Sequence, residues 1–118
     1  MLRNRATLIV KTPKGILLVN HLILGKIRFA LPGGGIKFHE SPQKAAEREL
    51  REETYHVAKK IKFLFNHKTP LQNHFVFLVE ASGNPKKSWE TPHFKIYNDK
   101  VKILKSHKRI IEKYLHLS

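Results

Sequence analysis

Three consecutive glycines, Gly33–Gly35, follow Leu31-Pro32, and five residues beyond them the chain turns acidic. From Gly34 to His56 it reads GGIKFHESPQKAAERELREETYH. Glu40, Glu47, Glu49, Glu52 and Glu53, five of the protein's nine acidic residues, fall in this stretch, although the whole chain carries a formal charge of +14. A carboxylate cluster in so basic a chain calls for a cation held by oxygen. The segment also limits the fold. Whatever the fold, it must carry a glycine-rich loop and, soon after it, a cluster of acids.

Ser41-Pro42 is a helix start, because a serine oxygen caps free N–H groups and proline occupies a position where its missing N–H costs nothing. From Pro42 to about Thr54 the residues are mostly good helix formers, with no internal glycine or proline. At roughly 100° per residue, Glu49 lies between Glu52 and Glu53, so all three carboxylates leave the helix on one side. Ala46, Leu50 and Val57 form an apolar stripe farther round, suited to packing on a sheet. Like charges at these spacings repel by a few tenths of a kcal/mol per pair, roughly, so helix stability alone does not select them. The competing reading is a solvated face with ion pairs from Glu47 to Arg51 and from Arg48 to Glu52.

The spacing of the whole segment resembles the Nudix box, Gly-x5-Glu-x7-Arg-Glu-U-x-Glu-Glu-x-Gly-U, where U is a bulky aliphatic residue. Gly34, Glu40, Arg48, Glu49, Leu50, Glu52 and Glu53 follow it in register, and Leu31-Pro32-Gly33-Gly34 looks like the family's lead-in. Tyr55 stands where the closing glycine belongs and His56 where the last aliphatic belongs. A non-glycine in a left-handed closing residue costs about 1 kcal/mol, which alters the following loop without removing a ligand.

Around the box, Ala6–Lys11 and Ile16–His21 read as a hairpin turning at Thr12-Pro13-Lys14-Gly15, and Lys26–Ala30 as a strand entering the glycine loop Leu31–Gly35. Ile61–His67 and His74–Ala81 are two further strands with a turn near Pro70. Ser82–Lys87 is a polar loop and Phe94–Tyr97 a short strand. Apolar Ile110, Ile111, Tyr114 and Leu115 recur at helical spacing from Ser106 to about Leu115. The resemblance implies an α/β class fold, a Nudix-type α/β/α sandwich with a mixed sheet between helices. At 118 residues there is room for one domain spanning 1–118. Cysteine is absent, which excludes disulfides and thiolate metal sites. The apolar runs are too short to span a bilayer and no signal peptide is legible, so a cytoplasmic protein with no membrane partner is the expectation.

The resemblance implies hydrolysis of a nucleoside diphosphate linked to another group, by water attack at phosphorus, with Mg²⁺ or Mn²⁺ as cofactor. Glu52 and Glu53 would be the principal ligands, and Glu49 a further ligand or the water-orienting base. Backbone oxygen at Gly33 or Gly34 would add a donor, and the glycines Gly33, Gly34 and Gly35 would line the substrate. Arg48 would orient a carboxylate and Glu40 support the loop and helix start. Glu80 and Glu90 are candidates for an acid recruited from outside the box, with Glu90 preferred. Phe29, Phe38, Phe75, Phe77 and Trp89 are the aromatics able to stack a base; Phe75 and Phe77 are expected in the core, which leaves Trp89 preferred.

Positive charge spread along the chain, with thirteen of 23 Lys and Arg after Val57, suits general solubility or the steering of a small nucleotide or nucleotide-sugar. An RNA 5′ end is a further substrate class. The eight scattered histidines show no zinc spacing and read as surface residues, with His39 beside Glu40 the one to watch. The alternative function is a non-catalytic nucleotide- or RNA-binding protein that keeps the fold.

Overall fold

A computed structural model describes residues 3–23, 25–54, 58–81 and 94–117. Its elements are β1 (Arg3–Thr12), β2 (Gly15–Ile23), β3 (Lys26–Ala30), β4 (Gly33–Gly35), α1 (Pro42–Thr54), β5 (Ala58–Lys68), β6 (Gln72–Ala81), β7 (Phe94–Ile96) and α2 (Lys105–Leu115). Strand order runs β3-β2-β1-β6-β5, with β4 added on β1 and β7 on β2. The β1–β6 pair is parallel and the others are antiparallel, so the sheet is mixed.

β1 is the centre because both its faces are apolar. Side chains alternate along a strand, and here alternate residues enter different cores. Ala6, Leu8 and Val10 join Phe77 and Val79 beneath Ala45, Ala46 and Leu50 of α1. Ile9 faces the other way with Val76, Leu18 and Leu31, beneath Ile110 and Ile111 of α2. One strand pattern of period two thus supplies both layers of an α/β/α sandwich, as the sequence implied.

Several details depart from the sequence reading. The glycine loop contains a strand: Gly33–Gly35 pair antiparallel with Arg5–Thr7. Glycine runs look like loop because they lack side chains to pack, but backbone pairing needs none. β5 begins at Ala58 and β6 at Gln72, both earlier than expected, since pairing with a neighbour extends polar residues into the sheet. His74 and His107 are buried, not on the surface. His74 Nδ1 lies 2.7 Å from Thr7 Oγ1, and His107 Nδ1 accepts from the Leu31 N–H at 2.9 Å. Leu115 is exposed although it follows the helical pattern, because it lies at the last turn of α2. Phe77 is buried and Phe75 packs against the same core, as expected.

Candidate active site

α1 starts where the sequence placed it. Ser41 Oγ accepts from the Lys44 N–H at 3.1 Å, and the Ser41 carbonyl accepts from Ala45 N–H at 3.0 Å. With Ala45, Ala46 and Leu50 fixing its buried side, the helix turns Glu49 and Glu53 toward β4. Glu53 Oε1 accepts from the Gly33 N–H at 3.1 Å. Glu49 lies so close to Gly34 that a Cβ on that glycine would overlap its carboxylate. A Cβ on Gly33 would overlap the Ala6 carbonyl, and its φ of +146° is a region that favours glycine. The glycines therefore allow the strand to run between β1 and two carboxylates.

Burial pushes the Glu53 carboxyl well above the usual carboxylate range, the Gly33 N–H opposing this and the neighbouring Glu49 adding to it. Arg5, on β1 opposite Gly35, lies within electrostatic reach of both acids. Burial lowers its pKa, and the charges of Glu53 and Glu49 counter that. Its guanidinium is anchored by bonds to the Leu31 carbonyl at 3.0 Å and Thr7 Oγ1 at 3.2 Å. Sequence reading missed Arg5, since only the β1–β4 pairing brings it to the site.

Arg48 ties the rest together. Its Nε and Nη2 donate to the two oxygens of Glu40 at 2.8 and 2.7 Å, and Nη2 also donates to the Gly35 carbonyl at 3.0 Å. Nη1 donates to Glu49 Oε1 at 2.7 Å and Glu52 Oε2 at 3.2 Å. The hydrogen bond from Arg48, joined by the Lys37 N–H, holds the Glu40 carboxyl at about 2. This fork of charge-assisted bonds fixes the β4–α1 loop to the middle of the helix.

The structure thus brings Glu49, Glu53, Gly33 and Gly34 together, with Arg48 and Glu40 beside them. Glu52 stays at the rim, its side chain 55% exposed and turned toward Arg48. Among the described residues no three acidic, histidine or cysteine side chains form a ready-made metal cage. The donor set nevertheless suits a hard cation: two adjacent carboxyls, one made reluctant to ionise by burial, gain from a positive charge between them. Tyr55, His56, Trp89 and Glu90 lie outside the described residues. Glu80 lines a lysine-rich groove on the other face of the sheet. His39 packs edge-on to Phe38 with ring centres 4.6 Å apart, and both are exposed. A hollow of about 720 Å³ lies between Phe29 on β3, Lys95 on β7 and the segment Asn98–Lys102.

A mixed sheet between two helices, with a glycine strand facing carboxylates of the first, defines an α/β/α sandwich with an acidic site at its glycine strand. The family model for the NUDIX domain matches residues 1–95, and the chain belongs to the Nudix family, whose hydrolases act on phosphoric anhydride bonds. Among solved structures, a Nudix hydrolase family member from Chromobacterium violaceum is 31% identical, with a TM-score of 0.85 over 99% of this chain and 79% of that one. A MutT structure, from work on the Aliivibrio salmonicida and Vibrio cholerae proteins, is 14% identical with a TM-score of 0.79 over the full length of both. The Bacillus subtilis pyrophosphohydrolase BsRppH is 18% identical, with a TM-score of 0.69 over 98% of this chain and 80% of that one. A comparison with curated proteins finds no match.

Proposed function

We propose that this protein is a metal-dependent pyrophosphohydrolase that cleaves a nucleoside diphosphate linked to another group. The observation that carries this reading is the Glu49–Glu53 pair packed against the backbone of Gly33 and Gly34. Glu49 and Glu53 would hold Mg²⁺ or Mn²⁺, with the Gly34 carbonyl and with Glu52 rotated in from the rim. A divalent cation bound there supplies charge neutralisation for the pyrophosphate and lowers the pKa of a bound water. One oxygen of Glu49 is committed to Arg48, which leaves the other to act as proton acceptor for the attacking water. Water oxygen bonds to phosphorus, its proton passes to the carboxylate, and the bond to the bridging oxygen breaks, leaving two phosphate products. Glu40 acts through Arg48, holding the clamp in place.

Relatives named as a pyrophosphohydrolase and as a hydrolase of ADP compounds support the reaction class.

The test is a panel of oxidised and normal nucleoside triphosphates, ADP-ribose, dinucleoside polyphosphates and 5′-triphosphate RNA, each with Mg²⁺ or Mn²⁺. At least one is expected to turn over, with all activity lost in EDTA and restored by the cation. Glu53→Gln should lower kcat by about 100-fold or more. Binding of nucleotides without turnover of any panel member would overturn the enzymatic reading.

A further inference from the structure

α2 covers only part of its face of the sheet. Its apolar residues reach the row in which Ile9, Leu78 and Lys62 sit side by side on β1, β6 and β5. One step farther along the same face, Lys11, Glu80 and Lys60 form the next row, and all three are exposed. These rows, the neighbouring Lys59 and the β1–β2 turn enclose a groove of about 600 Å³. Four ammonium groups line it against one carboxylate. Among the described residues none of the four lysines has a carboxylate within ion-pair distance. Lys60 and Lys62 are roughly 7 Å apart along β5, and Lys11 sits about 10 Å across the sheet from Lys60.

We propose that this groove binds the phosphodiester backbone of single-stranded nucleic acid, as a surface separate from the carboxylate site on the opposite face. Three features favour this partner. Spaced lysines are point charges that meet phosphates without the two-pronged geometry of arginine, which suits backbone contact independent of sequence. The floor is apolar at Leu78 and Pro13, so a base can lie where the sugar–phosphate strand runs along the lysines. The net charge of +14 attracts a long polyanion from a distance. Lys59 also lines a hollow with Glu47 and Arg51 of α1, so the basic surface continues round the β5 edge toward the catalytic helix. A flat membrane surface would not enter a groove of this kind.

The experiment is fluorescence anisotropy with a labelled twelve-nucleotide single-stranded RNA that ends in a 5′-hydroxyl, without divalent cation. Such a strand has no anhydride to cleave, so the result is independent of the hydrolytic reading. The wild-type protein is compared with Lys11→Glu/Lys60→Glu/Lys62→Glu and with a control of equal charge change elsewhere, Lys44→Glu/Lys105→Glu/Lys108→Glu. The groove variant should lose about tenfold or more in affinity, and its slope of log affinity against log salt should fall by about 2, as expected for three lost phosphate contacts. The control should lose no more than about threefold, from the bulk field alone. Thermal melting checks the fold, and alanines at the three groove positions replace the glutamates if the reversed variant melts. Equal losses in groove and control variants would overturn the proposal, as would no detectable wild-type binding. So would a groove dependence seen with polyglutamate or with phosphatidylserine vesicles but not with RNA.

Discussion

Gly34 shows how much the site depends on one missing methyl group. A Cβ there meets the end of a flexible glutamate, so the Glu49 carboxylate can move aside at small energetic cost, but it then leaves its position beside Glu53. Gly34→Ala is therefore expected to lower kcat/KM by about 10- to 100-fold while the melting temperature shifts by less than about 4 °C. Gly33→Ala differs, because its Cβ meets backbone and its φ is +146°. It should destabilise the fold by more than about 2 kcal/mol, measured by urea denaturation. Similar outcomes for the two variants would contradict this division between positioning and folding. The carboxylates and glycines were legible in the sequence because helix spacing and motif register are local. Arg5 was not, since its electrostatic reach to Glu49 and Glu53 depends on a strand pairing between distant segments.

The seam between β1, β6 and α2 is polar at one end. Arg5 donates to Thr7, Thr7 contacts His74, and the His74 and His107 rings meet edge to face at 5.5 Å. Burial foremost, then the charges of Arg5 and His67, holds the His74 pKa at about 4 against the ordinary 6.5. Between those values the unfolded chain binds more protons than the folded one, so stability rises with pH across the window. The full contribution is present above pH 6.5 and is lost progressively as pH falls toward 4. His74→Asn should therefore show a flatter dependence than the wild type in urea denaturation between pH 7 and 4.5. A wild-type curve parallel to that of the variant would remove His74 as the group responsible. A cap and a run of helix formers marked α1, and periodicity marked α2. It did not distinguish a core histidine from a surface one, because His74 and His107 are buried by what packs on them rather than by their own neighbours in sequence.

The molecule as a whole carries a strong positive field around an acidic centre. Attraction of polyphosphate substrates by that field is screened by salt, whereas contacts within the site are much less so. The proposed hydrolysis should accordingly lose about tenfold in kcat/KM between 0.05 and 0.5 M KCl, with kcat changing by less than about twofold. Stopped-assay kinetics at several salt concentrations check this, and a loss confined to kcat would point to the chemistry instead of the encounter.

By itself the sequence determined the acidic helix, its cap, the glycine run and the family they belong to, because each is written in spacing over a few turns of chain. Strands before and after one helix, closed by a second helix, also suited a mixed sheet between helical layers, as the family resemblance implied. Only the tertiary structure decided that the glycines form a strand, that Glu49 and Glu53 meet while Glu52 stays at the rim, and that four lysines gather in one groove. Those outcomes depend on register between distant strands and on which side chains Arg48 engages. Such contacts are set by three-dimensional packing, and no local pattern encodes them.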